Sequence, residues 1–267
     1  MLEQLLLNTR VHLRFYARNR LLLAFAIVLL GVFGLTMIPM VMMDTSANRF
    51  SLLQSITSQL VTFSMIFTAS LGLFALSSHL RSRNVKMVLT KPCRPETWLA
   101  SIFLSALLVG LALHGLIALS GMGLSLFWSI PLQPGLAFLA IDGFLRSMIL
   151  FSFVTMLTMA FHPVVAVLLV SVVNEGTFYG LKYLIASAGA ASGSGPWLML
   201  ASVLCDGVYM LLPMVEPLSD KTETVYKSWR ATGGDWLTLA EASGYALLAT
   251  VFLYLLSLYL LRRKDLI

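Results

Sequence analysis

Leu80-Arg81-Ser82-Arg83-Asn84-Val85-Lys86-Met87-Val88-Leu89-Thr90-Lys91-Pro92-Cys93-Arg94-Pro95 interrupts an otherwise apolar chain with five Lys/Arg. On either side lie uncharged runs, Ser51 to Ser78 and Thr97 to Ile141, each long enough to cross a bilayer. A basic insert between two spans is held on the cytoplasmic face by the positive-inside bias. That sets the direction of both neighbouring helices. It also presents a charged segment, weakly amphipathic through Val85, Met87, Val88 and Leu89, to the cytoplasm, where a partner can dock.

Working outward, composition agrees with a membrane setting. Hydrophobic residues make up 58% of 267 residues, charged residues 11%, and the mean hydropathy is +0.88. One soluble core cannot bury that much apolar surface. The formal charge of +6 does not point to nucleic acid, because Lys and Arg cluster at the ends of apolar runs rather than on a polar, aromatic-interleaved face. Lipid headgroups account for it. Cys93 and Cys205 fall on opposite sides of the membrane in the topology below, which excludes a disulfide between them and leaves no cysteine cluster for a metal.

The pattern predicts an all-α integral membrane protein, a single transmembrane domain over 1–267 with six spans at 21–43, 51–78, 98–127, 136–161, 164–183 and 242–261. Arg10, Arg14, Arg18 and Arg20 precede the first run, which is too long for a signal-peptide core and lacks an A-x-A site, so it reads as a retained span. Asp44-Thr45-Ser46 supplies a turn. Trp128-Ser129-Ile130-Pro131-Leu132-Gln133-Pro134-Gly135 breaks the long run after Thr97, and His162-Pro163 makes the next turn. The coupling segment is 79–97.

The stretch 186–236 is ambiguous, since Trp197 to Val215 imitates a seventh span. Six spans put Arg10 to Arg20, the insert and Arg262-Arg263-Lys264 on one side, which collects twelve of the eighteen Lys/Arg. A seventh would export the last three. The segment is therefore placed outside, as short helices that dip into the outer leaflet or lie on it. Residues 1–20 carry Leu2, Leu5, Leu6, Leu13 and Tyr16 on one side and Arg10, Arg14 and Arg18 on another. They read as an amphipathic helix on the membrane surface, or as a solvated extension of the first span.

Catalytic signatures are absent. There is no G-x-x-x-x-G-K-[ST] loop, no H-E-x-x-H among His12, His79, His114 and His162, and no G-x-S-x-G elbow. The chain is therefore expected not to be an enzyme and to hold no cofactor or metal of its own. His114 reads as a helix-to-helix hydrogen-bonding group.

Spans four and five hold Asp142, Arg146, Asn174, Glu175 and, near the outer end, Lys182. Ionisable groups near mid-bilayer must be paired or hydrated. Asp142 and Arg146 share one helix face. Depth matching sets Arg146 opposite Glu175 and predicts an inter-helix ion pair there, with a polar cavity for substrate or protons as the other reading. Ser55, Thr57, Ser58, Gln59, Thr62, Ser64 and Thr68 in span two either line a pathway or bond neighbouring helices.

The run Arg83-Asn84-Val85-Lys86-Met87-Val88-Leu89-Thr90-Lys91-Pro92-Cys93-Arg94-Pro95-Glu96-Thr97-Trp98 resembles the permease subunits of ABC type-2 exporters. There a charged coupling segment, a Lys-Pro and a basic residue lead into the next span. The ending Leu261-Arg262-Arg263-Lys264-Asp265-Leu266-Ile267 is similar to that family's finish, and the resemblance covers the whole chain. Within the family it is most similar to small stand-alone permeases of the nitrous-oxide-reductase-maturation and gliding types. The resemblance implies an N-terminal connecting helix, a cytoplasmic coupling helix between spans two and three, and short outer helices between spans five and six. It also implies a multi-pass protein of the bacterial inner membrane with both termini cytoplasmic.

By the same resemblance, two permease chains, expected to be a homodimer, work with two ABC ATPase subunits that bind ATP and Mg. Contact with those subunits would run through Arg81, Arg83, Asn84, Val85, Lys86, Met87, Leu89 and Arg94. The surrounding lipid and an extracytoplasmic partner complete the expected contacts. A plain topogenic loop binding anionic lipid is the simpler reading of the insert. A secondary transporter and a membrane scaffold of an envelope assembly machine are the alternative functions.

Overall fold

Proline, glycine and charge divide the chain, and helices fill the intervals. The computed structural model describes residues 2–18, 20–42, 46–81, 94–132, 134–172, 175–192, 195–211 and 230–264. Among these residues every regular element is an α-helix: α1 (Leu2–Arg18), α2 (Leu21–Met42), α3 (Ser46–Arg81), α4 (Pro95–Phe127), α5 (Gly135–Ala160), α6 (Pro163–Val172), α7 (Glu175–Ser192), α8 (Pro196–Leu211) and α9 (Gly233–Lys264). In lipid each backbone N–H and C=O must be satisfied within its own segment, which selects helices for runs this apolar.

The boundaries follow local chemistry. Pro95 opens α4 from the first turn, where its missing N–H costs nothing. Trp128 closes that helix with its N–H on the Leu124 carbonyl, and Ser129 turns the chain at φ 54. Proline likewise opens α6, after the extended Phe161. The start of α9 is capped by Thr232, whose N–H and hydroxyl both donate to Asp235 Oδ2, at 2.7 and 2.6 Å.

Among the described residues four helices are long and apolar enough to cross a membrane, over Arg49–Leu76, Pro95–Phe127, Gly135–Ala160 and Gly233–Arg263. A fifth is added if α1 and Leu23–Val32 of α2, bent by 52°, count as one broken span. The described residues thus carry four to five candidate spans of the six expected. The expected span 164–183 falls on α6 and α7, and residues 173 and 174 between them lie outside the described residues. The expected outer segment 186–236 begins as the end of α7, continues as α8 and ends in the first turn of α9. Its residues 212–229 lie outside the described residues.

α5 is the central helix, with α3, α4 and α9 packed around it, α1 against α4, and α2 along α3. α7 and α8 pack chiefly on each other. At the end of the bundle bearing Arg81 and Arg94, Tyr16, Leu71, Leu76, Trp98, Leu99, Phe103, Phe151 and Leu261 form one buried cluster. Phe103 meets both Phe151 and Tyr254 edge-on at 5.1 Å. At the opposite end Leu53, Ile130, Leu136 and Leu139 pack under Trp128, whose ring lies 4.9 Å from the Arg49 guanidinium.

Hydrophobic burial does not drive helices together in lipid, so close backbone approach has to. Glycine permits it here. A Cβ built on Gly143 of α5 would lie 2.4 Å from Val61 Cγ1 of α3, and one on Gly72 of α3 would lie 2.6 Å from Thr155 Oγ1 of α5.

Candidate functional site: a polar centre inside the helical bundle

The ionisable groups of α5 lie inside the helical bundle. Asp142 is fully buried, and Arg146, one turn on, places Nε 2.9 Å from Asp142 Oδ2 with only 13% of its side chain exposed. Helical spacing makes this pairing immediate: i and i+4 share a face, so neither side chain has to cross to another helix. The pair is neutral as a unit, which is the condition for keeping two charges out of water.

Depth matching sets Arg146 opposite Glu175; the ion pair among the described residues is with Asp142 on its own helix, and the expected inter-helix pair falls outside them. Glu175 is the first residue of α7; its side chain, like Asn174 as a whole, lies outside the described residues.

Two more groups complete the centre. His114 of α4 is 2% exposed, and its Nδ1 donates to the Gly110 carbonyl at 2.9 Å, with Ser64 Oγ of α3 3.4 Å from the same nitrogen. That donation fixes the neutral tautomer and leaves Nε2 as an acceptor. Gly143 backs against this edge of the ring, since a Cβ there would lie 3.2 Å from Nε2. The expected helix-to-helix role of His114 is therefore present, and it joins α3, α4 and α5 at one level.

The polar residues of α3 separate into two sets. Thr57, Ser64 and Thr68 are buried, with Thr57 and Thr68 donating back to the carbonyls of Leu53 and Ser64 at 2.8 Å. Ser55, Gln59 and Thr62 are exposed and recur at helical spacing, so they form one polar stripe that this chain leaves uncovered.

Lys182 belongs to neither set. It pairs with Asp206 of α8 at 2.8 Å, both side chains being about half exposed, and so fastens the α7–α8 hairpin. The contact was missed in the sequence because the partners are far apart along the chain. Their roughly equal distances from the Gly/Ser turn between the helices are the signal that would have found it.

Of the expected coupling residues, Arg94 caps α4 with its side chain exposed, and Arg81 is the last residue of α3. Arg83, Asn84, Val85, Lys86, Met87 and Leu89 lie outside the described residues. Beside Arg94, Glu96 pairs with Arg262 of α9, and the Tyr254 hydroxyl donates to the Glu96 carbonyl at 3.1 Å. These contacts join the root of the basic segment to the basic end of α9. Among the described residues no three His, Cys, Asp or Glu converge as metal ligands.

No protein-family model matches this chain, and no curated protein matches it.

Proposed function

We propose that this chain is the membrane-spanning permease subunit of an ATP-driven ABC exporter. In this reading two copies form the transport unit, and ATP and Mg are handled by two separate ATPase subunits. The observation that carries it is α3. One helix presents an uncovered polar stripe, Ser55, Gln59 and Thr62, along its membrane-crossing part and runs without interruption to Arg81 at the mouth of the basic segment. Uncharged polar side chains facing hydrocarbon are unfavourable, and a second copy that brings its own stripe alongside would turn them into the wall of a polar path. A force applied at Arg81 to Arg94 by a nucleotide-binding partner would then act directly on the helix that lines the path.

On this reading α2 and the α6–α7 pair complete six spans, both termini lie in the cytoplasm of a bacterial cell, and the chain itself is not a catalyst. The α7–α8 hairpin would be the part offered to an extracytoplasmic partner.

Affinity purification from native membranes should recover an ATP-hydrolysing chain with this one. Reversing charge with Arg83→Glu and Lys86→Glu should abolish that recovery and leave insertion intact, because the proposed rim contacts become repulsive. Unchanged recovery and ATPase activity would remove the coupling assignment. The stripe has its own test. With Cys93 and Cys205 replaced by serine, Gln59→Cys should form a cross-linked dimer in membranes, while Leu60→Cys, 1% exposed, should not. A monomeric Gln59→Cys chain would mean that the stripe faces something other than a second copy.

A further inference from the structure

α1 has three faces, and only one of them is used by the rest of the chain. Thr9, His12 and Tyr16 are buried, and the Tyr16 hydroxyl lies 3.4 Å from Ser105 Oγ of α4, which fixes the helix in place. Next to this face Leu2 and Leu6 are 71% and 56% exposed and share a flank with the half-buried Leu13. Beyond the flank Arg10, Arg14 and Arg18 recur at every fourth residue, all exposed, with exposed Leu7 and Val11 among them, and among the described residues none of the three pairs with a carboxylate. At Arg20 the backbone turns through φ 57 and α2 departs at 52°, so α1 is not an extension of the helix that follows.

No single medium suits such a helix. In water the leucine flank is exposed for no gain, and in hydrocarbon the guanidinium groups are far too costly. The boundary between the two satisfies both, with leucines inward and arginines at the headgroups. Charge selects the kind of lipid. Glu3 is the one acidic residue of α1, so the arginine row carries a net positive field, and planar guanidinium groups fit phosphate in a two-point contact.

We propose that α1 is a docking surface for anionic phospholipid, with the Leu2–Leu6–Leu13 flank seated at the acyl boundary and the Arg10–Arg14–Arg18 row holding headgroup phosphates. Three arginines near an anionic surface raise its occupancy over a neutral one by on the order of 100-fold. The inference requires only that the chain lies in a membrane and does not depend on the transport reading.

The test uses the full chain with Cys93→Ser, Cys205→Ser and a fluorescent label on Leu6→Cys, reconstituted in phosphatidylcholine vesicles with or without phosphatidylglycerol. Phosphatidylglycerol should raise quenching of the label by nitroxide lipid and lower quenching by aqueous iodide. Arg10→Gln with Arg14→Gln and Arg18→Gln should cancel both changes, and lysine at the same three positions should keep most of them. Equal quenching in the two vesicles, a response that survives the glutamine substitutions, or inorganic phosphate reproducing it in phosphatidylcholine alone would each overturn the proposal. If the glutamine chain does not insert, salt does the same work on the unsubstituted arginines. Raising ionic strength to about 1 M shortens the screening length to roughly 3 Å and should abolish the phosphatidylglycerol response, and persistence of the response would overturn the proposal.

Discussion

Arg146→Met should be among the most destabilising single changes in this protein, costing about 3–5 kcal/mol, because it removes the guanidinium paired with the fully buried Asp142 carboxylate. Asp142→Asn should be damaging for the reciprocal reason, and Arg146, with 13% of its side chain exposed, can reach polar surroundings only a little more easily. The informative chain is the double mutant. With both charges gone the site holds a methionine and a neutral amide of similar bulk, and much of the loss should return, since replacing a buried pair by groups of similar volume is often close to neutral. Thermal unfolding of the purified protein in detergent measures the cycle. Additive losses would mean that the two side chains do not act as a pair. On the proposed transporter reading, a double mutant that is stable yet inactive in transport would assign the pair to the path rather than to the scaffold.

The same pair shows how far the sequence could be read. That Asp142 and Arg146 share a helix face follows from their spacing, and the conclusion that buried charges must be neutralised follows from solvation. What spacing could not decide was whether Arg146 turned to its own helix or to Glu175. Depth matching treats two helices as rigid parallel rods, and spacing along one chain does not report how neighbouring helices tilt or rotate against each other. Spans between strong breaks were legible because proline and charge locate their ends: Pro95, the Trp128 to Gly135 turn and His162-Pro163 all mark boundaries of α4, α5 and α6. By contrast, the stretch from Pro163 to Leu211 is apolar without a clear stop, and a hydropathy run does not report where one helix ends and the next begins. The sequence also held no sign of which threonines and serines of α3 would turn inward, because that depends on where Gly143 and Gly110 let the neighbouring helices approach.

Gly143→Ala should lower the unfolding temperature sharply, and Val61→Ala in the same chain should restore more than half of the loss. The added methyl carbon would sit 2.4 Å from Val61 Cγ1 and 3.0 Å from His114 Cδ2. Neither neighbour can swing clear: valine is β-branched with a restricted χ1, and the imidazole is held by its bond to the Gly110 carbonyl. The helices must part instead, an overpacking strain of about 1–3 kcal/mol. Separation of α5 from α3 and α4 would also disturb the level that holds Ser64, His114, Asp142 and Arg146, so activity should fall with stability. Gly115→Ala is the control, because a Cβ there meets nothing within 4 Å. It should be neutral or slightly stabilising, since alanine is the better helix former. If Val61→Ala brings no recovery while Gly115→Ala behaves as expected, the tight contact at Gly143 is with the histidine ring rather than the valine, and His114→Ala becomes the substitution that should relieve it.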